Sequence, residues 1–588
     1  MKRIFLIIAM QFLPWLPTQA ATLASQERVQ VDLTILAGGG YDELLQRTHA
    51  VADASDGQEI RGLLAAQSKL VTIQRIRILP HRDGADATEI PAGPALGQVL
   101  AALKPGDIVD YAINIHHPQL LPQGQQSLHY ELRRHQIFGE GRVNVHVPKG
   151  STIKVSASGF EQQTIQTTAA GRTYSYVVRN DTALPEEDNV ANREATMPTV
   201  RVSTFKNYTA LAALIEGEFA KAVVHSDVLG QIAERIAARA DNPRAAARAT
   251  YQWVQQHIAY DAQAMDANGI TPRSLPAILA SGHGDCKDHV VLFQALLKAQ
   301  GIESIMVLIN TESQYQLSTT PVVADFNHVI TYLPAFDLYV DATDKYARFD
   351  RLPLNRQDKP VLWLDRDGKQ ARTPLTADDS SVTDAAYRLD QGSMVVSSRT
   401  VSEGESALET ILVRDAMQGQ DLGALLEKSL VARGLRAPRG TMRFDGDVDR
   451  MNFTMNFSSQ LASADHRVAI AFNPFFGKRS TLGGMSLGFQ AARRANGFLC
   501  PPRTIVERYT LVMPTGSKAT MPDAVDIQAA ELAYQSSYTQ QGNRVTISRR
   551  FTSTSKKAAC DAGDYIRYQR FARRVADDIA TQIRYSWP

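Results

Sequence analysis

Short runs in which apolar and polar residues alternate dominate the first third of the chain. QRIRILP (74–80), DIVDYAINI (107–115), RVNVHVP (142–148), STIKVSAS (151–158) and TYSYVVR (173–179) all keep a period of two, the mark of strands with one buried face. Pro105-Gly106 and Pro148-Lys149-Gly150 punctuate them as turns. The pattern predicts an antiparallel β-sandwich with a long, curved sheet, and a helical stretch over 41–69 packed on it. His116 and His117 fall at the end of a strand, with no further ligands at a metal-binding spacing.

An acidic, turn-rich connector, ALPEEDNVANREATMPTV (183–200), separates this region from one with a different period. ALAALIEGEFAKAV (210–223), VLGQIAERIAARA (228–240) and PRAAARATYQWVQQHIAY (243–260) repeat at about 3.6 residues and predict helices, the last capped by Asn242 beside Pro243. IMVLIN (305–310), NHVITYL (327–333) and DLYVDAT (337–343) then predict antiparallel strands. From 376 the patterning is again mostly β, closing on a helix near 565–583. The expected organisation is a multidomain α+β protein: an N-terminal β-sandwich domain over 21–204, an α+β core over 205–375 and a C-terminal β-rich domain over 376–588.

Residues 1–20 change the picture of compartment. Lys2 and Arg3, the apolar run IFLIIAMQFLPWLP and then Thr18-Gln19-Ala20 have the order of a secretory signal peptide. A periplasmic or secreted protein is expected, with no integral membrane segment in the mature chain, because no later run of about eighteen apolar residues occurs. Lysine plus arginine (63) nearly balance aspartate plus glutamate (61), which leaves no electrostatic footprint for nucleic acid. Of the three cysteines, Cys500 and Cys560 lie close together in the chain and make the economical disulfide, leaving Cys286 free.

That free thiol sits in GHGDCKDH (282–289). Asp285 is placed to cap a helix starting at Cys286, and Gly301 to end it. Val290, Phe293, Leu296 and Leu297 form one apolar face, while Lys287, Asp288 and His289 are expected on a solvated first turn. At a helix N-terminus the dipole and unpaired N–H groups favour a thiolate, and the same groups can hold an oxyanion. A thiolate nucleophile needs an acid/base and an orienting group. His328 opens one strand and Asp341 closes the next, near mirror positions across a short turn, so the order helix–Cys, strand–His, strand–Asp predicts a triad. Asp344 is the nearest rival carboxylate. Trp253 and Gln256, upstream, have no role that spacing assigns; Trp253 is expected in the core.

YQWVQQHIAY, GHGDCKDHVVLFQALLKAQGIES, FNHVITYL and YVDATD together resemble the bacterial transglutaminase-like core of the papain-like cysteine enzymes, over about residues 245–350. The resemblance implies a catalytic Cys286, His328 and Asp341. LKPGDIVDYAINI and PTVRVSTFKNY, within about 40–205, resemble an N-terminal domain of unknown function that often precedes such cores in exported bacterial proteins. The expected function is thiol acyl transfer on protein or peptide amides of the cell envelope, with no metal or organic cofactor called for. NTESQYQLSTTPVVADF (310–326) is expected as an open, polar recognition loop, which argues for hydrolysis over crosslinking. A non-catalytic envelope scaffold or protein-binding module with a vestigial triad is the competing expectation.

Overall fold

The computed structural model describes residues 27–51, 70–80, 88–90, 96–119, 121–132, 138–182, 184, 187–223, 227–261, 269–390, 392–461, 467–471 and 481–586. The signal peptide expected at 1–20 and most of the helix expected over 41–69 lie outside them. The chain forms two compact units: 1–186 with 194–206, and 187–193 with 207–588.

The first unit holds an eight-stranded sheet with Arg28–Ile35 near its middle, flanked by Tyr41–Ala50 and Phe138–Pro148. A three-stranded sheet of Ser127–Glu131, Thr199–Ser203 and Lys154–Ser158 shares its core. Val31, Leu33, Val143, Val145 and Tyr176 from the large sheet meet Leu128, Val200 and Val202 from the small one. Two expectations are corrected. Arg28–Ile35 and Phe138–Pro148 run parallel, so the large sheet is mixed rather than wholly antiparallel. Tyr41–Ala50 is a strand and not a helix. Its run of helix formers, Glu43-Leu44-Leu45-Gln46-Arg47, is overridden because strands on both sides satisfy its backbone. His116 and His117 lie on the neighbouring strand and meet Asp42 at 2.7 Å and Glu43 at 2.9 Å.

In the second unit, the core begins with helices α1 (Tyr208–Ala220), α2 (Asp227–Ala237), α3 (Pro243–His257), α4 (Leu275–Ser281) and α5 (Cys286–Ala299). Asn242 caps α3 by accepting from the Ala245 amide at 2.9 Å, with Pro243 in the first position. Strands β1 (Ile305–Ile309), β2 (His328–Leu333), β3 (Leu338–Val340), β4 (Pro360–Trp363) and β5 (Gln370–Arg372) form one sheet in the order β3-β2-β1-β4-β5, antiparallel throughout. Helix α5 packs against α2, α3 and β2. It is therefore buried around most of its circumference, not amphipathic, from Cys286 to Phe293 and again at Leu296 and Leu297.

The connection from β1 to β2 is a packed strap and not an open loop. Gln314, Tyr315, Thr320, Val322, Val323, Asp325 and Phe326 are all buried. The Tyr208 hydroxyl donates to the Asp325 carboxylate at 2.8 Å, and the Lys359 amine donates to the Gln314 carbonyl at 3.1 Å while lying over the Tyr315 ring. Polar composition suggested exposure; Gln314 and Asp325 are instead buried with hydrogen-bond partners.

Beyond the core, a second eight-stranded sheet contains one parallel pair, Ser380–Asp390 with Arg503–Val512. Helices Glu405–Ala416 and Leu422–Ala432 interrupt the expected run of strands. The predicted closing helix is Tyr565–Ile579, and strand Gln582–Ser586 follows it. Cys500 and Cys560 form a disulfide, and Cys286 is the free cysteine. Among the described residues no helix is long and apolar enough to cross a membrane.

Denatured without reductant, the protein should show one reactive thiol per chain, and three after reduction, by a colorimetric thiol assay. Replacing Cys500 and Cys560 together by alanine should lower stability by about 2–4 kcal/mol in a urea titration; an unchanged midpoint would show that the bridge contributes nothing.

Candidate active site

Local chemistry holds Cys286 at the first position of α5. The Asp285 side chain accepts from the amides of Lys287 at 3.0 Å and Asp288 at 3.2 Å, while the Asp288 carboxylate accepts from the Asp285 amide at 3.2 Å. This capping box fixes the helix start. Arg273 clamps Asp288 from outside with its backbone amide and its Nε, at 2.9 and 2.8 Å. Gly284 has no room for a side chain: a Cβ would stand 2.9 Å from the Asp288 Cβ and 3.3 Å from a ring nitrogen of His289. Two of the amides expected to serve an oxyanion are thus committed to the cap, and the Cys286 amide is the one the cap does not take.

The expectation of a solvated first turn is overturned. Lys287, Asp288 and His289 are each buried. The Lys287 amine meets Asp285 at 2.6 Å, and the His289 ring faces the carbonyl oxygens of Asp285 at 2.8 Å and Ile258 at 3.2 Å. These polar groups are packed inside because the neighbouring helices cover the first turn and each group has a local partner.

His328 opens β2, and Asp341 follows β3. The register Thr331–Val340, Tyr332–Tyr339, Leu333–Leu338, continued by one step, sets Asp341 opposite Ile330 and diagonal to His328. His328 Nε2 lies 2.8 Å from Asp341 Oδ2. The other ring nitrogen is left for the Cys286 thiol, which lies close enough to His328 to favour its charged form. The structure therefore brings Cys286, His328 and Asp341 together. Asp344 stands apart from this line; its carboxylate accepts from the Tyr346 amide at 3.0 Å.

Electrostatics favour an ionised pair. Burial works against charge on His328, but the Asp341 carboxylate outweighs it and raises the imidazole pKa to about 9. Burial likewise opposes charge on Asp341, yet His328 and Arg356 hold its carboxyl well below the usual carboxylate range. Tyr260, mainly through burial and then through the nearby Cys286, has its phenol pushed up.

Several residues of the site escaped the sequence reading. Arg356 Nε lies 2.5 Å from Asp341 Oδ2 as an ion pair. Thr343 satisfies the other oxygen, Oδ1, with its amide at 3.1 Å and its hydroxyl at 2.6 Å. The Tyr251 hydroxyl, from α3, donates to the backbone carbonyl of Asp341 at 2.9 Å. Gln255 donates to the Tyr251 hydroxyl at 3.1 Å and to the Asp344 carbonyl at 2.6 Å, and so braces the chain after β3. Gln256, its neighbour, is exposed, and Trp253 is half-buried and stacked on His257 at 4.3 Å rather than in the core. A cleft of about 610 Å³ opens over His328, lined by Tyr260, Asn327, Thr343, Asp344 and Arg356 among others. Cys286 is 1% exposed and is not among the residues that line it. Among the described residues no cluster of three or more His, Cys, Asp or Glu side chains is arranged to hold a metal ion.

Because folding raises the His328 pKa, its contribution to stability is complete below the ordinary histidine value of about 6.5 and is lost as pH rises through about 9. Wild type should accordingly lose stability across that interval relative to His328→Gln, measured by urea unfolding at a series of pH values; parallel profiles would contradict the raised pKa.

Residues 230–335 match the family model described as the transglutaminase-like superfamily. Cys286 and His328 fall within the match, and Asp341 lies just beyond it. No curated protein matches the chain. Among solved structures, the crystal structure of a candidate protease from Parabacteroides distasonis aligns with a TM-score of 0.61 at 13% identity, over 95% of this chain and 98% of that one. The two share a fold across nearly their whole length. The structure of a candidate cysteine protease from Cytophaga hutchinsonii aligns over 42% of this chain and 82% of that one at 13% identity, with a TM-score of 0.19 too low to bear on the fold. Residues 230–335, which carry the thiol and the imidazole, thus form a transglutaminase-like domain.

Proposed function

We propose that the protein is an exported thiol acyl-transfer enzyme that hydrolyses protein or peptide amides with Cys286, His328 and Asp341. The observation that carries this reading is the buried His328–Asp341 pair at 2.8 Å beside the Cys286 thiol, an arrangement that favours a charged imidazole. The Cys286 thiolate adds to the amide carbon, and the carbonyl electrons move to an oxyanion to which the Cys286 amide can donate a hydrogen bond. The tetrahedral species collapses, the C–N bond breaks, and the His328 imidazolium gives its proton to the departing amine. The neutral imidazole then takes a proton from water, whose oxygen attacks the thioester; the acid leaves and the thiolate–imidazolium pair is restored.

Water is favoured as the acceptor by the polar cleft around His328, where Thr311, Asn327, Thr343, Asp344 and Lys345 stand in the wall. Residues 310–326 pack as a strap, so the cleft rather than an open loop presents the polar surface. Most aromatic residues near the core are buried in packing, Phe293, Tyr315 and Phe326 among them, and so build no water-excluding tunnel. The sequence pattern of residues 1–20 and the disulfide Cys500–Cys560 support a periplasmic or secreted location.

A second reading, a non-catalytic envelope scaffold or protein-binding module, is favoured by the burial of Cys286, which does not line the cleft. Selective alkylation of the folded protein near neutral pH separates the two. Iodoacetamide should label Cys286 at a rate well above that of a buried inert thiol, and labelling only after unfolding would favour the scaffold. With a glutamine-containing envelope extract and a labelled primary amine, wild type should release acid or new termini without incorporating the amine. Cys286→Ala and His328→Ala should each lose at least about a thousandfold in rate, and Asp341→Asn less. Cys286-dependent amine incorporation would make the protein a crosslinker instead, and an active Cys286→Ala variant would end the enzyme reading.

A further inference from the structure

The Asp341 carboxylate is shared in an uneven way. Its Oδ1 takes two hydrogen bonds from Thr343, whereas both cationic partners, His328 Nε2 at 2.8 Å and Arg356 Nε at 2.5 Å, converge on Oδ2. Arg356 is not a passing surface charge. Its side chain is 12% exposed, it ends the single turn Leu354–Arg356, and its carbonyl accepts from the Thr373 hydroxyl at 2.7 Å. Its remaining contacts are Asp344 at 3.5 Å and Asn355 at 3.0 Å.

We propose that Arg356 is a positioning residue that pins the Asp341 oxygen used by His328 and, by competing for it, limits how tightly that carboxylate holds the imidazole proton. The inference rests on the reading of Cys286, His328 and Asp341 as catalytic. Two like charges on one oxygen oppose each other, so Arg356 weakens the imidazolium while Asp341 strengthens it, and the electrostatics around His328 have those signs. An imidazolium held by Asp341 alone would part with its proton reluctantly, which is a poor property in a general acid. The other charged or titratable groups near the pair are Cys286 from α5, Tyr260 beside it, Asp344 after β3 and Tyr251 from α3.

The test is the titration of His328 by NMR in the full chain labelled with ¹³C-histidine, its signal assigned by its loss in His328→Gln. Wild type should titrate at about 9. Arg356→Met should move the midpoint upward, because the opposing charge is gone while Asp341 remains. Arg356→Lys, which keeps the charge, should stay near wild type. A merely structural arginine predicts the opposite sign: its loss would free Asp341 to turn away, and the midpoint would fall. An unchanged or lowered midpoint in Arg356→Met, or an equal rise in Arg356→Lys, overturns the proposal. Arg356→Gln supplies the neutral variant if the methionine form does not fold, as judged by circular dichroism. The catalytic reading fails separately, through a thiol inert to iodoacetamide and an absence of turnover, and neither result alters the titration.

Discussion

A carboxylate with no access to solvent is the constraint around which the site is built. Asp341 is 0% exposed, and an unpaired charge so placed would cost several kcal/mol. Its surroundings answer that cost from four directions: His328 from β2, Arg356 from the turn before β4, Thr343 from the next residues of the chain, and the α3 residue Tyr251 through the backbone. Helix α3 carries none of the reacting groups, yet it belongs to the machinery because Tyr251 and Gln255 set where the chain leaves β3. The buried carboxylate favours a proton on the imidazole, which sits beside the Cys286 thiol.

Cys286, His328 and Asp341, the residues proposed to react, were legible as candidates because each sits on a strong local signal. Gly-Asp-Cys at a helix start has only a few structural meanings, and alternation placed His328 and Asp341 at adjacent strand ends. Their supporting residues carry weaker signals or none. Thr343 could have been suspected, since Asp341-Ala342-Thr343 closes an Asx-type turn in which Oδ1 accepts the amide two residues on. Nothing in periodicity says that Arg356, from a single helical turn, reaches back to a carboxylate on another segment. Such contacts are properties of the folded chain alone.

The misreadings share one physical cause, the use of polarity as a proxy for exposure. Lys287, Asp288 and His289 look like a wet first turn but are buried with internal partners, and 310–326 looks like a surface loop but packs Gln314, Tyr315, Val322, Val323, Asp325 and Phe326 into the interior. The error over Tyr41–Ala50 is related. Intrinsic helix preference is worth tenths of a kcal/mol per residue, and two flanking strands offer a full ladder of backbone hydrogen bonds. The helices Glu405–Ala416 and Leu422–Ala432 were missed because strong alternation on either side drew the whole region into a β reading.

The short sheet formed by Val190–Ala191, Gly497–Leu499 and Ala559–Cys560 bears on how the molecule is made. Its first strand leaves the ribosome some three hundred residues before the second, and the third comes within the last thirty. Loop-closure entropy for contacts so distant in sequence must be met before the contacts themselves return anything, so this pairing belongs late in folding. Until then the backbone around 190 and around 498 presents unpaired strand edges, the kind of surface that folding assistants bind and that neighbouring chains can capture. If the chain is exported in an extended form, as proposed, residues through Cys560 must emerge before that seam can close.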